Sequence, residues 1–474
     1  VVANIDWPSR RDLSTPQLRA EMKSIVEAAA GLHLNALIVQ VRPACDAIYP
    51  SEMEPWSEFL TGQSGKAPEG GFDPLAEWIA LCHENGIEFH AWFNLFRARH
   101  FESKLPDAPS HVSNARPDLV RDYTNLKWLD PGERDAQEHS LRVMLDVVRR
   151  YDIDGLHIDD YFYPYPDGKT AFPDDASWEK YVAGGGTLAR DDWRRFNINS
   201  FVRRMYDETK KIKPMVKVGI SPFGIWRPGH PAGVEGMDAT QKLFADARLW
   251  LNEGWLDYCV PQLYWKMDAP KQPYVKLLEW WVGENTMGRL LVAGNYASRV
   301  APSAASATGK APDPRSNWAA SEIVAQVEAT RACRRASGNV MFSMIALQQN
   351  RGGIGDALRD GPYRERAIVP AMDWLPGGRP AKPVASVSAE GEGVTLHFAP
   401  AEGKAMGTAA GGTISGEVRW WVVGEKRGDA WTVRTLPAAS RTWSTPREGV
   451  VGVAVTGMDA GGRLGEWAMF LPRR

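Results

Sequence analysis

Residues 136–164 read AQEHSLRVMLDVVRRYDIDGLHIDDYFYP. Ala136–Tyr151 carries apolar residues at helical spacing, and Gly155–Ile158 (GLHI) is a short apolar run of the kind that makes a buried strand. A helix leading straight into such a strand, with a polar and aromatic segment after it, is one unit of a parallel α/β fold. The unit recurs in both directions. Val1–Ile5, Ala36–Val41 (ALIVQV) and Ile87–Phe93 (IEFHAWF) come before it. Val216–Ile220 (VKVGI), Asp257–Tyr264 (DYCVPQLY), Leu290–Tyr296 (LLVAGNY) and Asn339–Met344 (NVMFSM) come after it, which makes eight strand-like runs.

Amphipathic helices are expected between them. Thr15–Ala30 has Ser14 or Thr15 as N-cap and Gly31 as its stop. Pro74–Asn85 starts after Asp73 with Pro in the first turn and ends before Gly86. Asp191–Lys211, Thr240–Glu253 and Ser321–Ser337 follow the same pattern. Eight strand–helix alternations predict a (β/α)8 TIM barrel. The alternative is an open doubly wound sheet, but no glycine-rich phosphate loop follows the first run.

The barrel is expected over residues 1–375, longer than the ~250 typical of the fold. The excess lies in Pro43–Gly71, Phe96–Pro131, Tyr161–Arg190, Ser221–Ala239 and Ser298–Asn317, all after strands. Loops at that end build the active-site face, so they predict a deep cleft for a large substrate. A Pro- and Gly-rich stretch, Leu375–Pro383, contains the expected linker at 376–383. Beyond it, Val384–Val387, Gly393–Phe398, Glu417–Val423, Trp431–Thr435 and Val450–Thr456 read as short strands of a small β-sandwich over 384–474. Val453–Trp467 in that segment resembles the last hairpin of a fibronectin type III module.

Bulk composition excludes several classes. The 474 residues are 44% hydrophobic and 24% charged, an ordinary globular balance. A net charge of −2 offers no footprint for nucleic acid or an anionic membrane, and no apolar run is long enough to span a bilayer. Cys45, Cys82, Cys259 and Cys333 match no zinc spacing and read as buried free thiols. The 20 Trp serve core packing first, and their faces also suit sugar rings.

The chemistry concentrates where the strands end. Side chains alternate along a strand, so Leu156 and Ile158 face the outer helices while His157 and Asp159 point inward, with Asp160 at the lip. Two adjacent carboxylates resist joint ionisation, which keeps one as an acid beside a charged partner. Other strand ends offer Gln40, Arg42 and Asp46; His90, Trp92 and Asn94, with Arg97 beyond; Trp226 and Arg227; Gln262, Tyr264 and Trp265; Asn295 and Tyr296; and Gln348 and Gln349. Amides, aromatics and few charges on one rim suit a neutral polyhydroxylated ligand. His90, His157 and Asp159 could form a metal cluster, but the first run supplies Asn4 and Asp6 where metal-dependent barrels carry an H-x-H pair. No metal or cofactor is therefore expected. There is no G-x-S-x-G nucleophile motif.

NIDWPS, VQVRPACDAIYPSEMEPWS, FHAWFN, GLHIDDYFYP, ISPFGIWR and DYCVPQLYW together resemble the bacterial glycosyl-hydrolase-like family, once known only as a domain of unknown function. It includes the DigH-type envelope enzymes that hydrolyse peptide-stripped peptidoglycan. The resemblance implies a glycoside hydrolase acting on an envelope or extracellular glycan. It also implies a periplasmic or extracellular location, with an export or lipid-anchor segment removed. No Asp or Glu ends the sixth, seventh or eighth run, so the strand-four/strand-seven glutamate pair of many glycosidases is missing. Hexosaminidases that use the substrate's own 2-acetamido group place adjacent acids at the fourth strand. By that parallel, Asp159 would support the acetamido group and Asp160 would be the acid/base. Tyr161, Tyr264 and Asn295 would hydrogen-bond near the reacting sugar, and Trp92, Trp226 and Trp265 would stack on rings. The competing two-carboxylate scheme makes Asp159 the nucleophile and Asp246 or Glu235 the acid. A glycan-binding barrel without catalysis is the non-enzymatic alternative.

Overall fold

The structure is a computed structural model, and it describes residues 1–3, 5–103, 105–302, 315–401 and 416–471. Asn4 lies outside them. Contacts divide the chain into two compact units. One comprises Val1–Ile25, Ile38–Ile79 and Phe89–Ala357, the other Val26–Leu37, Ala80–Glu88 and Leu358–Arg474.

The first unit is built on a seven-stranded sheet: β1 (Ala36–Arg42), β2 (Glu88–Phe93), β3 (Gly155–Ile158), β4 (Lys217–Ile220), β5 (Tyr258–Cys259), β6 (Leu290–Asn295) and β7 (Ala336–Met341). Their order in the sheet is their order in sequence, and every pairing from β2 to β7 is parallel. A doubly wound sheet reverses its strand order at a switch point. This one never does, and it is the curled sheet of a TIM barrel.

The expected first strand is a turn. Ile5, Asp6 and Trp7 all donate their backbone N–H to the Val2 carbonyl (2.9–3.2 Å). The Asp6 carboxylate accepts the Val2 N–H (2.7 Å), which draws the segment out of an extended conformation. This turn still fills the eighth position. Val1 exchanges backbone hydrogen bonds with Ile38 and Gln40 of β1. Asp6 accepts from Ser343 Oγ (2.8 Å) and Ile345 N (2.7 Å), just past β7.

Helices α1 (Thr15–Gly31), α2 (Pro74–Glu84), α3 (Arg134–Arg150) and α4 (Arg190–Ile212) match the predicted segments to within two residues at each end. The single helix expected over Thr240–Glu253 is broken. Ala239–Lys242 is one turn, Phe244 takes a left-handed φ of 54°, and Asp246 caps a second helix, α5 (Ala247–Asn252). Tyr274–Glu284 (α6) was not foreseen, and the last predicted helix is Ala320–Ala332 (α7), with Ser337 already in β7. The long loop after β2 folds into a three-stranded sheet of Arg97–Arg99, Val120–Tyr123 and Leu126–Leu129.

The inward layer explains two glycines. A Cβ on Gly155 would lie 2.3 Å from His90 Nδ1, and one on Gly219 would lie 1.9 Å from Tyr258 Cζ. The missing side chains make room for those two rings. Leu156, Ile158, Val218 and Ile220 are fully buried on the other face of the strands.

The second unit contains two antiparallel sheets. Val384–Glu390, Gly393–Ala399 and Thr442–Pro446 form one. Trp420–Arg427, Ala430–Pro437, Val450–Met458 and Ala468–Phe470 form the other. Leu396 and Phe398 of the first pack with Trp421, Val423, Val453 and Val455 of the second. The strands at 442–446 and 468–470 were not foreseen. No described helix is long and apolar enough to cross a membrane. All four cysteines are free.

Candidate active site

Strand β3 ends at Ile158 and delivers Asp159 and Asp160 side by side, 8% and 4% exposed. The hydroxyl of Tyr165 donates to Asp160 Oδ2, and the Gln262 side chain also bonds Asp160. Asp159 accepts a long bond from the Tyr161 N–H (3.4 Å) and a further one from its own backbone N–H. Burial raises both acids. Asp160 is pushed up to about 6, moderated by Tyr165 and other donors. Asp159 rises well above the ordinary carboxylate range, through burial first and the neighbouring charge of Asp160 second. Two such neighbours resist joint ionisation, and the side-chain donors at Asp160 favour its charged form over that of Asp159.

Local backbone geometry seats these partners. A Cβ on Gly224 would sit 2.1 Å from the Gln262 carbonyl oxygen, so only glycine lets the loop after β4 pass this close. Gln262 donates through Nε2 to the Ser221 carbonyl (2.9 Å), which fixes its amide.

Aromatic rings surround the acids. Tyr161 lies edge-on to Trp128 and Tyr165, Tyr165 faces Phe223, and Phe223 packs against Trp265 at 5.7 Å. Tyr264 stacks at a tilt on Tyr296 (4.7 Å) and feels the charge of both acids. The Arg97 guanidinium lies 4.8 Å over the Tyr161 ring and acts electrostatically on both carboxylates. Below, His90 and His157 both contact the Tyr258 hydroxyl (2.7 and 3.0 Å), and His157 also contacts Ser221 Oγ (2.8 Å). Burial pushes the His157 imidazole down, so it is neutral at pH 7.

Asp159, Asp160, Tyr161, Gln262, Tyr264 and Trp265 thus come together, with His90 and His157 as the floor. The Trp92 indole N–H and Asn94 Oδ1 are buried with no partner among the described residues. Other nominated residues have structural partners of their own. Gln40 accepts the Ala3 N–H. Arg42 is fully buried, gripping Glu54 and the Asn94 and Leu95 carbonyls. Asn295 is held in a closed network with Tyr274, Gln326 and Asn339. Asp46 accepts the Ala44 N–H and lines a separate small pocket with Arg99, Asp107 and His111. Arg227 pairs with Asp238. Asp246 caps α5 and accepts the Trp226 indole N–H, and the Trp226 ring carries Trp280 and the Arg248 guanidinium. Glu235 is exposed and paired with Lys271. Tyr165 and Tyr258 were not nominated. Only the aromatic run after the acids and the strand parity at Tyr258 hinted at them.

Among the described residues no group of three or more His, Cys, Asp or Glu side chains is placed to hold a metal. A buried carboxyl pair sharing a proton can donate that proton to a leaving oxygen while the other carboxylate orients a reacting group.

Residues 1–307 match the family described as Glycosyl hydrolase-like 10. The chain is 38% identical over 394 residues to "Glycosyl hydrolase YngK" of Bacillus subtilis, covering 81% of this chain and 74% of that protein. It is 32% identical over 363 residues to "Glycosyl hydrolase DigH" of Escherichia coli K12, covering 72% of this chain and 80% of that one. A solved structure of the β-amylase catalytic domain of Paenibacillus polymyxa aligns with a TM-score of 0.48 at 10% identity, over 73% of this chain and 94% of that one. The chain belongs to the glycosyl hydrolase-like 10 family and is a glycoside hydrolase.

Proposed function

We propose that the enzyme hydrolyses glycosidic bonds in a bacterial envelope glycan built of N-acetylhexosamines, peptide-stripped peptidoglycan strands, using the Asp159–Asp160 pair. The observation that carries this is the pair itself: two adjacent buried carboxyls at the end of β3 with aromatic rings around them. The two separated carboxylates of the competing scheme are committed elsewhere, Asp246 to the N-terminus of α5 and Glu235 to Lys271. An adjacent pair suits a reaction in which the substrate's acetamido oxygen attacks the anomeric carbon.

In this scheme Asp159 protonates the leaving oxygen as the glycosidic bond breaks. Asp160, held ionised by Tyr165 and Gln262, accepts the acetamido N–H as the ring closes on the anomeric carbon. Water then opens that intermediate and returns a proton to Asp159. These roles reverse those drawn from the hexosaminidase parallel, because side-chain donors reach Asp160 while Asp159 is bonded by backbone N–H groups.

The test uses Asp159→Asn and Asp160→Asn on stripped strands and on an N-acetylhexosaminide with a good phenolate leaving group. Loss of an acid matters little when the leaving group needs no proton. Asp159→Asn should lose at least ~10²-fold on strands and far less on the activated substrate. Asp160→Asn should lose on both. Wild-type rates in either variant on strands would refute the proposal.

A further inference from the structure

Arg97 is 8% exposed and lies among the groups around the acid pair. Its Nε donates to the Pro43 carbonyl (3.1 Å), and its guanidinium lies over the Tyr161 ring. That carbonyl also accepts Asn94 Nδ2 (2.7 Å), and Arg42, the residue before Pro43, is locked by Glu54 and two backbone carbonyls. Arg97 is therefore a rigidly held cation. Among the described residues no ion pair within 4.0 Å joins it to a carboxylate, although it bonds the Tyr161 side chain and its charge acts on Asp159 and Asp160. Arg42, by contrast, is directly paired with Glu54. A buried guanidinium with two terminal nitrogens uncommitted to carboxylate is shaped to receive one, because its fork matches a carboxylate in bidentate fashion.

Resting on the proposed substrate, we infer that Arg97 is a specificity residue that binds the free lactyl carboxylate of a muramic acid residue next to the cleaved bond. In peptide-bearing strands that carboxyl is tied up as a neutral amide, which offers no anion to Arg97. Stripping the peptide exposes it. The cation would then discriminate stripped from unstripped glycan by charge as well as by bulk. Binding outside the reacting bond acts on KM more than on kcat.

The test compares stripped strands with the same strands whose lactyl carboxyls have been chemically reduced to alcohols. The sugar backbone and acetamido groups are identical in both. Wild-type enzyme should show a KM at least tenfold higher on the reduced strands, with kcat within about twofold. In Arg97→Gln that difference should vanish, and Arg97→Lys should keep part of it. Equal KM for both strands in the wild type overturns the inference while leaving the proposed function intact. Cleavage of neither strand by the wild type overturns the proposed function itself. A variant that retains the tenfold difference despite losing the guanidinium also overturns the assignment.

Discussion

Replacing Tyr165 with Phe removes one hydroxyl from the Asp160 carboxylate and keeps the ring that faces Phe223. The hydroxyl donates to the ionised form, so its loss must raise the Asp160 pKa. Hydrogen bonds to charged groups contribute about 1.5–3 kcal/mol, and a tenfold change in an acid constant is about 1.4 kcal/mol. Gln262 still donates to Asp160, so the lower end applies, a rise of about one pH unit. The working form of the pair carries one proton, and the acid limb of the rate profile marks arrival of the second. That limb should lie near the Asp160 value of about 6 in the wild type and about one unit higher in the variant. The alkaline limb belongs to the last proton, which burial holds well above the ordinary range, and should move less. On stripped strands, kcat/KM should fall roughly tenfold at pH 5 and change little at pH 8. An acid limb that stays within about 0.3 units, or moves to lower pH, would show that Tyr165 does not hold Asp160 ionised.

Other perturbations probe the fold that carries the site. Asp160 rises from 3.8 to about 6 on folding, so its ionisation weakens the native state above about pH 6, and the penalty fades as pH falls towards 3.8. Asp160→Asn should therefore stabilise the protein by about 1–3 kcal/mol at pH 7.5 and by much less at pH 4, read by thermal melts at the two pH values. Glu54→Gln leaves the fully buried Arg42 without its carboxylate, and a loss of about 3–5 kcal/mol is expected from chemical denaturation. An unchanged midpoint would contradict a structural role for the Arg42–Glu54 pair. Gly219→Ala forces a methyl group into the Tyr258 ring and should cost about 1–3 kcal/mol, with a drop in activity as His90 and His157 lose their shared hydroxyl.

The barrel was legible because buried parallel strands are continuous apolar runs, and ALIVQV, GLHI and LLVAGN stand out from any background. Val1–Ile5 looks the same in isolation. Its conformation is decided by Asp6, which bonds Val2 locally and Ser343 and Ile345 from the far end of the barrel. Periodicity cannot report such a tertiary partner. The same limit applies to the break at Phe244 and Asp246, where a side-chain cap and a left-handed residue interrupt an otherwise helical pattern. At the site, strand parity sends His157 inward, where it contacts Tyr258 and Ser221. Parity says nothing of pairing, so Arg42 read as a rim cation although Glu54 claims it, and Asn295 read as a substrate contact although three side chains enclose it. Tyr165 reaches Asp160 across a loop whose path no local rule describes.

The most direct test of the acetamido mechanism is cleavage of stripped peptidoglycan strands before and after chemical N-deacetylation, with products read by mass spectrometry and anomeric configuration followed by NMR. The account predicts cleavage of the acetylated strands alone, with a water-added reducing end formed with retained configuration. Comparable cleavage of the deacetylated strands, or inversion at the anomeric carbon, would contradict it.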